Sequence, residues 1–123
     1  ALGAAYVGSL TLGAGQFCTN PGLVLAIEGE GVDTFVQAAT DAVLQADAQT
    51  MLTTGIHAAY EKGVQALADN PGVEALGRGK EGNAATIGQA ALFSTTAAQF
   101  LADKALGHEV FGASSVIVRC KDE

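Results

Sequence analysis

The stretch from residue 13 to residue 25 constrains the fold of this chain most, because it joins a tight glycine-rich turn to an apolar run. It reads Gly-Ala-Gly-Gln-Phe-Cys-Thr-Asn-Pro-Gly-Leu-Val-Leu, with Cys18 near its middle. Pro21 fixes its own φ and favours an extended Asn20, so the loop after the cysteine is expected to be stiff. Three glycines can adopt backbone angles that other residues avoid: Gly13, Gly15 and Gly22. The sequence predicts a thiol on a tight loop at the start of a buried strand over residues 23–27.

Cys18 has two interpretations. Free cysteines are among the most buried residue types, so a packing role is the commoner one for a cysteine taken alone. A thiolate is also an intrinsically strong nucleophile, and a stiff, tightly turned loop is a suitable way to present one. The residues on either side of Cys18 favour the nucleophile, for the reason given below.

Two helices are expected in the first half of the chain. Residues 1–12 carry no charge. A segment without a polar face must be covered on most sides, so these residues predict a buried helix that leads into the cysteine loop. Apolar residues then recur at helical spacing from Val32 to Ala46, and Thr34 with Gln37 has the spacing of a capping box at the start of that helix.

Two more helices are expected further along the chain. Thr53-Thr54 supplies the cap of the first, and Asn70-Pro71-Gly72 ends it. Thr95-Thr96 supplies the cap of the second, a short helix that is expected to turn Leu101 towards the core.

Strand-like segments alternate with these helices. Apolar and β-branched runs predict four strands, at residues 23–27, 73–76, 89–95 and 114–120. Alternation of this kind is typical of an α/β fold with a largely parallel sheet flanked by helices. The sequence contains no internal repeat and no clear domain boundary.

Composition narrows the class of partner. The chain has 123 residues, the length of one domain, and a formal net charge of −7. Nucleic acids and anionic membrane surfaces attract clusters of positive charge, which this sequence lacks, so neither is an expected partner. No apolar run reaches the roughly eighteen residues that span a bilayer, and no secretory signal begins the chain. Its two cysteines, Cys18 and Cys120, are predicted to be free thiols in a reducing compartment, the cytoplasm.

Other motifs suggest chemistry that their spacing then excludes. Gly72 and Gly77 match the first positions of a phosphate-binding P-loop, but Arg78 follows and no Lys-Ser/Thr pair is present. His108-Glu109 begins like a zinc-protease motif, whose second histidine would stand at position 112, where this chain has glycine. His57 has no second ligand at metal spacing. No metal site is predicted.

Two segments resemble the NAD(P)-dependent aldehyde dehydrogenases. Gly15-Gln16-Phe17-Cys18 is similar to the Gly-Gln-x-Cys segment that carries the catalytic cysteine of that family. The Asn-Pro-Gly-Leu that follows is closer to a subgroup, the α-ketoglutarate semialdehyde (2,5-dioxovalerate) and fatty aldehyde dehydrogenases. Glu109-Val110-Phe111-Gly112 resembles the family's Glu-x-Phe-Gly segment. The chain departs from the family at Ala113, where proline is common, and at Leu23, where many members have arginine.

The resemblance implies an enzyme that oxidises an aldehyde to a carboxylic acid with NADP or NAD. On this basis Cys18 is the catalytic nucleophile, Glu109 hydrogen-bonds the hydroxyls of the nicotinamide ribose, and Phe111 packs beside the nicotinamide ring. Residues 1–123 would then be the cysteine-bearing part of a catalytic domain without its cofactor-binding domain, and they are expected to be inactive in isolation. The family also implies a homodimer or homotetramer.

Two other classes of protein remain open from the residues alone. One is a non-catalytic α/β interaction module in which Cys18 is a buried structural residue. The other is a thiol enzyme of a different kind, such as an acyltransferase or a cysteine hydrolase, which would need His57 or His108 as the base that activates the thiol.

Overall fold

A four-stranded sheet forms the centre of the structure. The computed structural model describes residues 1–84 and 86–122. The strands are β1 (Leu23–Ile27), β2 (Gln49–Thr50), β3 (Glu74–Arg78), β4 (Ile87–Gly88), β5 (Ala91–Thr96) and β6 (Ser114–Cys120). The main sheet has the order β1-β6-β5-β3, in which β6 is parallel to both β1 and β5, and β3 is antiparallel to β5. Strands β2 and β4 form a separate antiparallel pair.

Helices cover both faces of the main sheet. They are α1 (Leu2–Thr11), α2 (Glu30–Gln45), α3 (Thr54–Asp69) and α4 (Ala97–Ala102). On one face, Val43 of α2 shares an apolar cluster with Ile117 of β6. On the other face, Val64 of α3 packs in a second cluster with Val116. Consecutive residues of a strand point to opposite faces, which is why neighbours on β6 serve different clusters. The prediction of an α/β fold with a largely parallel, helix-flanked sheet is confirmed.

The prediction that residues 23–27 form a strand is confirmed, but the prediction that this strand is buried is wrong. β1 lies at the edge of the sheet, and its side chains alternate between half-buried and exposed. Val24 and Ala26 pack against the α2 side, whereas Leu25 on the opposite face is 69% exposed. Helix α1 is likewise only partly buried: half of its ten residues are exposed, and Gly3, Val7 and Leu10 are buried. An apolar composition permits burial, but the strand order decides which side chains are covered.

The predicted capping box of α2 is also wrong. The helix begins about one turn earlier, at Glu30, after Gly29 as its N-cap. The Thr34 hydroxyl donates a hydrogen bond to the Glu30 carbonyl, at 3.2 Å, and so lies inside the helix. Glu30 and Asp33 stand in the first turn, where negative charge interacts favourably with the helix dipole. These two acidic residues stabilise the start of α2, which has no capping side chain.

The other predicted caps are confirmed. The Thr53 hydroxyl accepts a hydrogen bond from the Ile56 N–H at 3.0 Å, and the Thr96 hydroxyl accepts one from the Gln99 N–H at 3.2 Å. Leu101, predicted to point inward from α4, is instead 82% exposed, and no residue of this six-residue helix is fully buried. No helix among the described residues has the length and apolar character needed to cross a membrane.

Substitution Thr53→Ala tests the cap of α3. It removes the acceptor of the Ile56 N–H and is expected to lower the free energy of unfolding by about 1 kcal/mol. The matched control is Thr54→Ala at the next position, an exposed residue inside the helix, which should change the free energy of unfolding by less than about 0.5 kcal/mol. Urea denaturation followed by circular dichroism measures both. Equal losses in the two variants would contradict the assignment of the cap.

Candidate active site

A left-handed turn carries the chain from α1 towards Cys18. Gly13, Ala14 and Gly15 have φ angles of 57°, 58° and 73°. Such angles suit glycine but cost a residue with a Cβ roughly 1–2 kcal/mol, so Ala14 holds a strained conformation. Its N–H donates to the Gln49 side-chain oxygen at 2.7 Å. This bond from β2 helps to keep the turn in place.

The thiol of Cys18 lies at the tip of the next turn. The Asn20 N–H donates to the Phe17 carbonyl at 3.1 Å, which places Cys18 at a central position of a β-turn. The Asn20 side-chain amide donates to the Leu10 carbonyl at 2.9 Å, so the turn is tied to the end of α1. Cys18 is a free, exposed cysteine. The interpretation of Cys18 as a buried packing residue is therefore wrong.

Gln16 stabilises the left-handed turn with both polar atoms of its side-chain amide. Its amide nitrogen donates to the Gly13 carbonyl at 2.9 Å, and its amide oxygen accepts from the Leu52 N–H at 2.9 Å. Sequence reasoning used Gln16 only as part of the Gly-Gln-x-Cys motif and gave no role to Gln49. The sequence contained a clue to the role of Gln16. A glutamine within a glycine-rich turn can be expected to hydrogen-bond the backbone of that turn.

The Glu109–Gly112 segment packs directly against the cysteine turn. A Cβ at Gly15 would collide with the backbone of Gly112 and Ala113, so the two segments approach as closely as backbones allow. Gly112 has a φ of 146°, and a Cβ there would collide with the ring of Tyr60. A Cβ at Gly63 of α3 would lie 3.0 Å from Val110. Glycine is needed at positions 15 and 112 both for backbone angle and for space.

Tyr60 packs against the Glu109–Gly112 segment and hydrogen-bonds the residue that follows it. It is buried in the apolar cluster on the α3 side, and its hydroxyl lies 2.5 Å from the Gln89 carbonyl oxygen and 3.2 Å from that of Ala113. Burial raises the pKa of Tyr60 well above its ordinary value. The phenol acts as a hydrogen-bond donor at the end of the segment.

Asp103 fixes the 3₁₀ turn Lys104–Gly107, which leads into the same segment. Its carboxylate accepts hydrogen bonds from the Asn70 side-chain amide at 2.9 Å and from the Ala105 N–H at 3.0 Å. These donors lower the pKa of Asp103, and the nearby His108 adds a smaller effect in the same direction. Asn70 ends α3, so the turn is connected to the helix that also carries Tyr60.

The three residues named from the sequence line one cleft. The cleft has a volume of about 490 Å³, and Cys18, Glu109 and Phe111 are among the side chains that line it. Cys18 and Glu109 are exposed, and Phe111 is 42% exposed. A free thiol, a carboxylate and an accessible aromatic ring thus share one solvent-facing hollow.

The two histidines differ in position. His108 lines the cleft. His57 on α3 instead lies 3.7 Å from the Glu61 carboxylate. Within residues 1–84 and 86–122, no three His, Cys, Asp or Glu side chains are grouped closely enough to hold a metal ion.

The fold and the cleft define an α/β protein with an exposed thiol, and comparisons with known proteins identify its class. No protein-family model matches the chain. It is 48% identical over 122 residues to alpha-ketoglutaric semialdehyde dehydrogenase 2 of Azospirillum brasilense, a match that covers 99% of this chain and 23% of that protein. It is 35% identical over 118 residues to the alpha-ketoglutaric semialdehyde dehydrogenase of Acinetobacter baylyi, covering 95% of this chain and 22% of that protein.

Solved structures agree on the fold. The NAD-dependent benzaldehyde dehydrogenase of Corynebacterium glutamicum matches 98% of this chain, over 28% of its own length, with a TM-score of 0.69 and 16% identity. Proline utilization A of Bdellovibrio bacteriovorus matches 97% of this chain, over 13% of its own length, with a TM-score of 0.78 and 15% identity. Nearly the whole chain is thus similar to part of two alpha-ketoglutaric semialdehyde dehydrogenases, and it spans about a quarter of the length of these curated relatives.

Substitution Gly15→Ala tests the backbone contact between the two segments. It forces alanine into a left-handed conformation and against the backbone of Gly112, so the free energy of unfolding should fall by about 2–4 kcal/mol. The matched control is Gly8→Ala in α1, where a Cβ meets no atom of another residue within 4 Å. Alanine favours a helix there and should raise the free energy of unfolding by up to about 1 kcal/mol. A Gly15→Ala variant as stable as Gly8→Ala would contradict the contact.

Proposed function

We propose that the full-length protein oxidises an aldehyde to a carboxylic acid with NAD⁺ or NADP⁺, and that Cys18 is the nucleophile. The observation that carries the proposal is the placement of the exposed Cys18 thiol on the same cleft as Glu109 and Phe111. The names of the two curated relatives support the same reaction class. An exposed, reactive thiol in a cleft is what a covalent mechanism requires.

The proposed covalent chemistry is centred on Cys18. Its thiolate adds to the aldehyde carbon, and the carbonyl oxygen becomes the oxyanion of a thiohemiacetal, which the backbone N–H of Cys18 can stabilise. Loss of hydride from that carbon leaves a thioester on Cys18. Water then attacks the thioester, which releases the carboxylic acid and returns the thiol. The rigid turn built by Gln16 and Asn20 keeps the sulfur in place through these steps.

Glu109 and Phe111, which line the same cleft as Cys18, are suited to bind a nicotinamide dinucleotide. The Glu109 carboxylate can accept hydrogen bonds from two ribose hydroxyls, and the half-exposed ring of Phe111 offers a face to a flat heterocycle. When bound, the dinucleotide supplies the acceptor for the hydride. We further propose that residues 1–123 form the cysteine-bearing part of a catalytic domain and that a cofactor-binding domain elsewhere in the full-length protein provides the remaining contacts.

The proposed substrate is α-ketoglutaric semialdehyde, because both curated relatives are named for it. A fatty aldehyde is the second candidate, from the sequence around Cys18. We also propose that the protein acts in the cytoplasm as a homodimer or homotetramer, as the resemblance to the family implies.

Substitution Cys18→Ser tests the nucleophile. The hydroxyl is far less ionised than a thiol at neutral pH, so turnover of α-ketoglutaric semialdehyde should fall by about three orders of magnitude or more. The matched control is Cys120→Ser at the end of β6, which should keep most of the activity. The absorbance of reduced nicotinamide reports the rate. Full activity in Cys18→Ser would overturn the assignment.

The histidine that shares the cleft separates this proposal from another class of thiol enzyme. A cysteine hydrolase or acyltransferase would use His108 as its base, since His108 lines the cleft with Cys18. The dehydrogenase proposal expects His108→Gln to change NAD(P)⁺-dependent turnover only a few-fold. Thioester hydrolysis that needs no dinucleotide and is lost in His108→Gln would favour the other class.

Substitution Glu109→Gln tests the cofactor contact. An amide is a weaker acceptor than a carboxylate for ribose hydroxyls, so the KM of the dinucleotide should rise about tenfold. The matched control is Glu74→Gln, which removes the same charge from an exposed position on β3, at the far edge of the sheet from β1. Steady-state kinetics with NAD⁺ and NADP⁺ in turn measure the KM. Equal KM values in both variants would contradict the role of Glu109.

A further inference from the structure

Ser114 is a buried hydroxyl on the wall of the cleft with no protein partner. It is the first residue of β6 and is only 3% exposed. Its Oγ makes no hydrogen bond to any residue within the described parts of the chain, and Ser114 is one of the residues that line the Cys18 cleft. Burying a hydroxyl without a partner is unfavourable, so the Ser114 hydroxyl still has a hydrogen bond to make.

Two other buried hydroxyls of the sheet are satisfied by the fold. The Ser115 hydroxyl, next along β6, donates to the Pro21 carbonyl at 2.7 Å. The Thr95 hydroxyl on β5 donates to the Gly72 carbonyl at 2.7 Å. Ser114 differs from both because its hydroxyl has no partner among the described residues, and the residue belongs to the lining of the cleft.

The position of Ser114 links the two segments of the site. Its N–H donates to the Gly112 carbonyl at 2.9 Å, directly after Phe111. Its backbone also lies beside Gly22, in the loop that follows Cys18. The backbone of Ser114 therefore connects the segment that carries Phe111 to the loop that follows Cys18.

The surroundings of Ser114 favour a hydrogen bond to a ligand over one to bulk water. Phe100, Leu106 and Val116 line the same cleft and are half-buried or buried. A hydrogen bond among apolar neighbours is stronger than the same bond in water, because water competes less for the donor.

We propose that the Ser114 hydroxyl is a ligand-binding group that donates a hydrogen bond to a carbonyl oxygen in the cleft. The proposal rests on the proposed function, which offers two carbonyl sources: the aldehyde substrate and the carboxamide of the nicotinamide ring. The shared chemistry is a neutral oxygen acceptor. The two sources are separated by which ligand loses affinity when the hydroxyl is removed.

The test compares Ser114→Ala with Ser115→Ala in the full-length protein. Loss of one neutral hydrogen bond to Ser114 should raise the KM or the dissociation constant of one ligand about fivefold. A rise for the dinucleotide identifies the carboxamide, and a rise for the aldehyde identifies the substrate. Ser114→Ala should unfold at the same temperature as the wild type or higher, since no protein bond is lost. Ser115→Ala should unfold at a lower temperature, because it breaks the bond to Pro21.

The outcomes are distinct. Unchanged KM values and unchanged dinucleotide binding in a folded Ser114→Ala would overturn the role of Ser114 and leave the proposed function standing, the hydroxyl then serving bound water. A lower melting temperature with unchanged ligand affinities would also overturn it, in favour of a structural role. A wild-type protein that neither binds the dinucleotide nor oxidises an aldehyde would overturn both proposals. Ser114→Cys, of similar size with a weaker donor, should fall between the wild type and Ser114→Ala.

Discussion

The close contact between two glycine-containing turns holds the cleft together. The backbone at Gly15 meets the backbone at Gly112 with no room for a side chain, and Gly112 is in turn pressed against the Tyr60 ring. The first turn leads to Cys18, and the second follows Glu109. Because backbone packing is much less adjustable than side-chain packing, this contact fixes the distance across the cleft. Hydrogen bonds from Gln16 and Tyr60 then hold each turn in its own conformation.

The sheet topology explains why these turns meet. β1 and β6 are neighbouring parallel strands. Their amino-terminal ends therefore lie side by side at the same end of the sheet. Cys18 comes shortly before β1, and Glu109 comes shortly before β6. In an antiparallel pair, the amino-terminal ends of β1 and β6 would lie at opposite ends of the sheet. They would then be about 17 Å apart, the length of a five-residue strand. The parallel crossover is thus a condition of the site as well as of the core.

Features that depend on a short run of residues could be predicted from the sequence. The four strands of the main sheet, the Thr53 cap and the candidate site residues Cys18, Glu109 and Phe111 all belong to local runs with a recognisable order, whereas the short strands β2 and β4 were not predicted. Sequence reasoning failed where distant parts of the chain decide. The apolar run at 23–27 gives no sign that β1 is an edge strand, and the free hydroxyl of Ser114 depends on which loops surround β6. Nor does an alanine at position 14 indicate a left-handed conformation, which the Gln49 side chain helps to hold.

The backbone angles that glycine favours are concentrated at the cleft. Across the described residues, the positions with φ between +20° and +160° are Gly13, Ala14, Gly15 and Gly112, of which the non-glycine Ala14 is strained, and all belong to the two segments in contact. Elsewhere the chain follows ordinary rules, with side-chain caps at Thr53 and Thr96. A strained conformation persists only when its surroundings determine it strongly, and such positions cluster where a protein binds or reacts. Ala14 also packs in the apolar cluster on the α3 side, so its strained turn contributes to the core as well as leading the chain to Cys18.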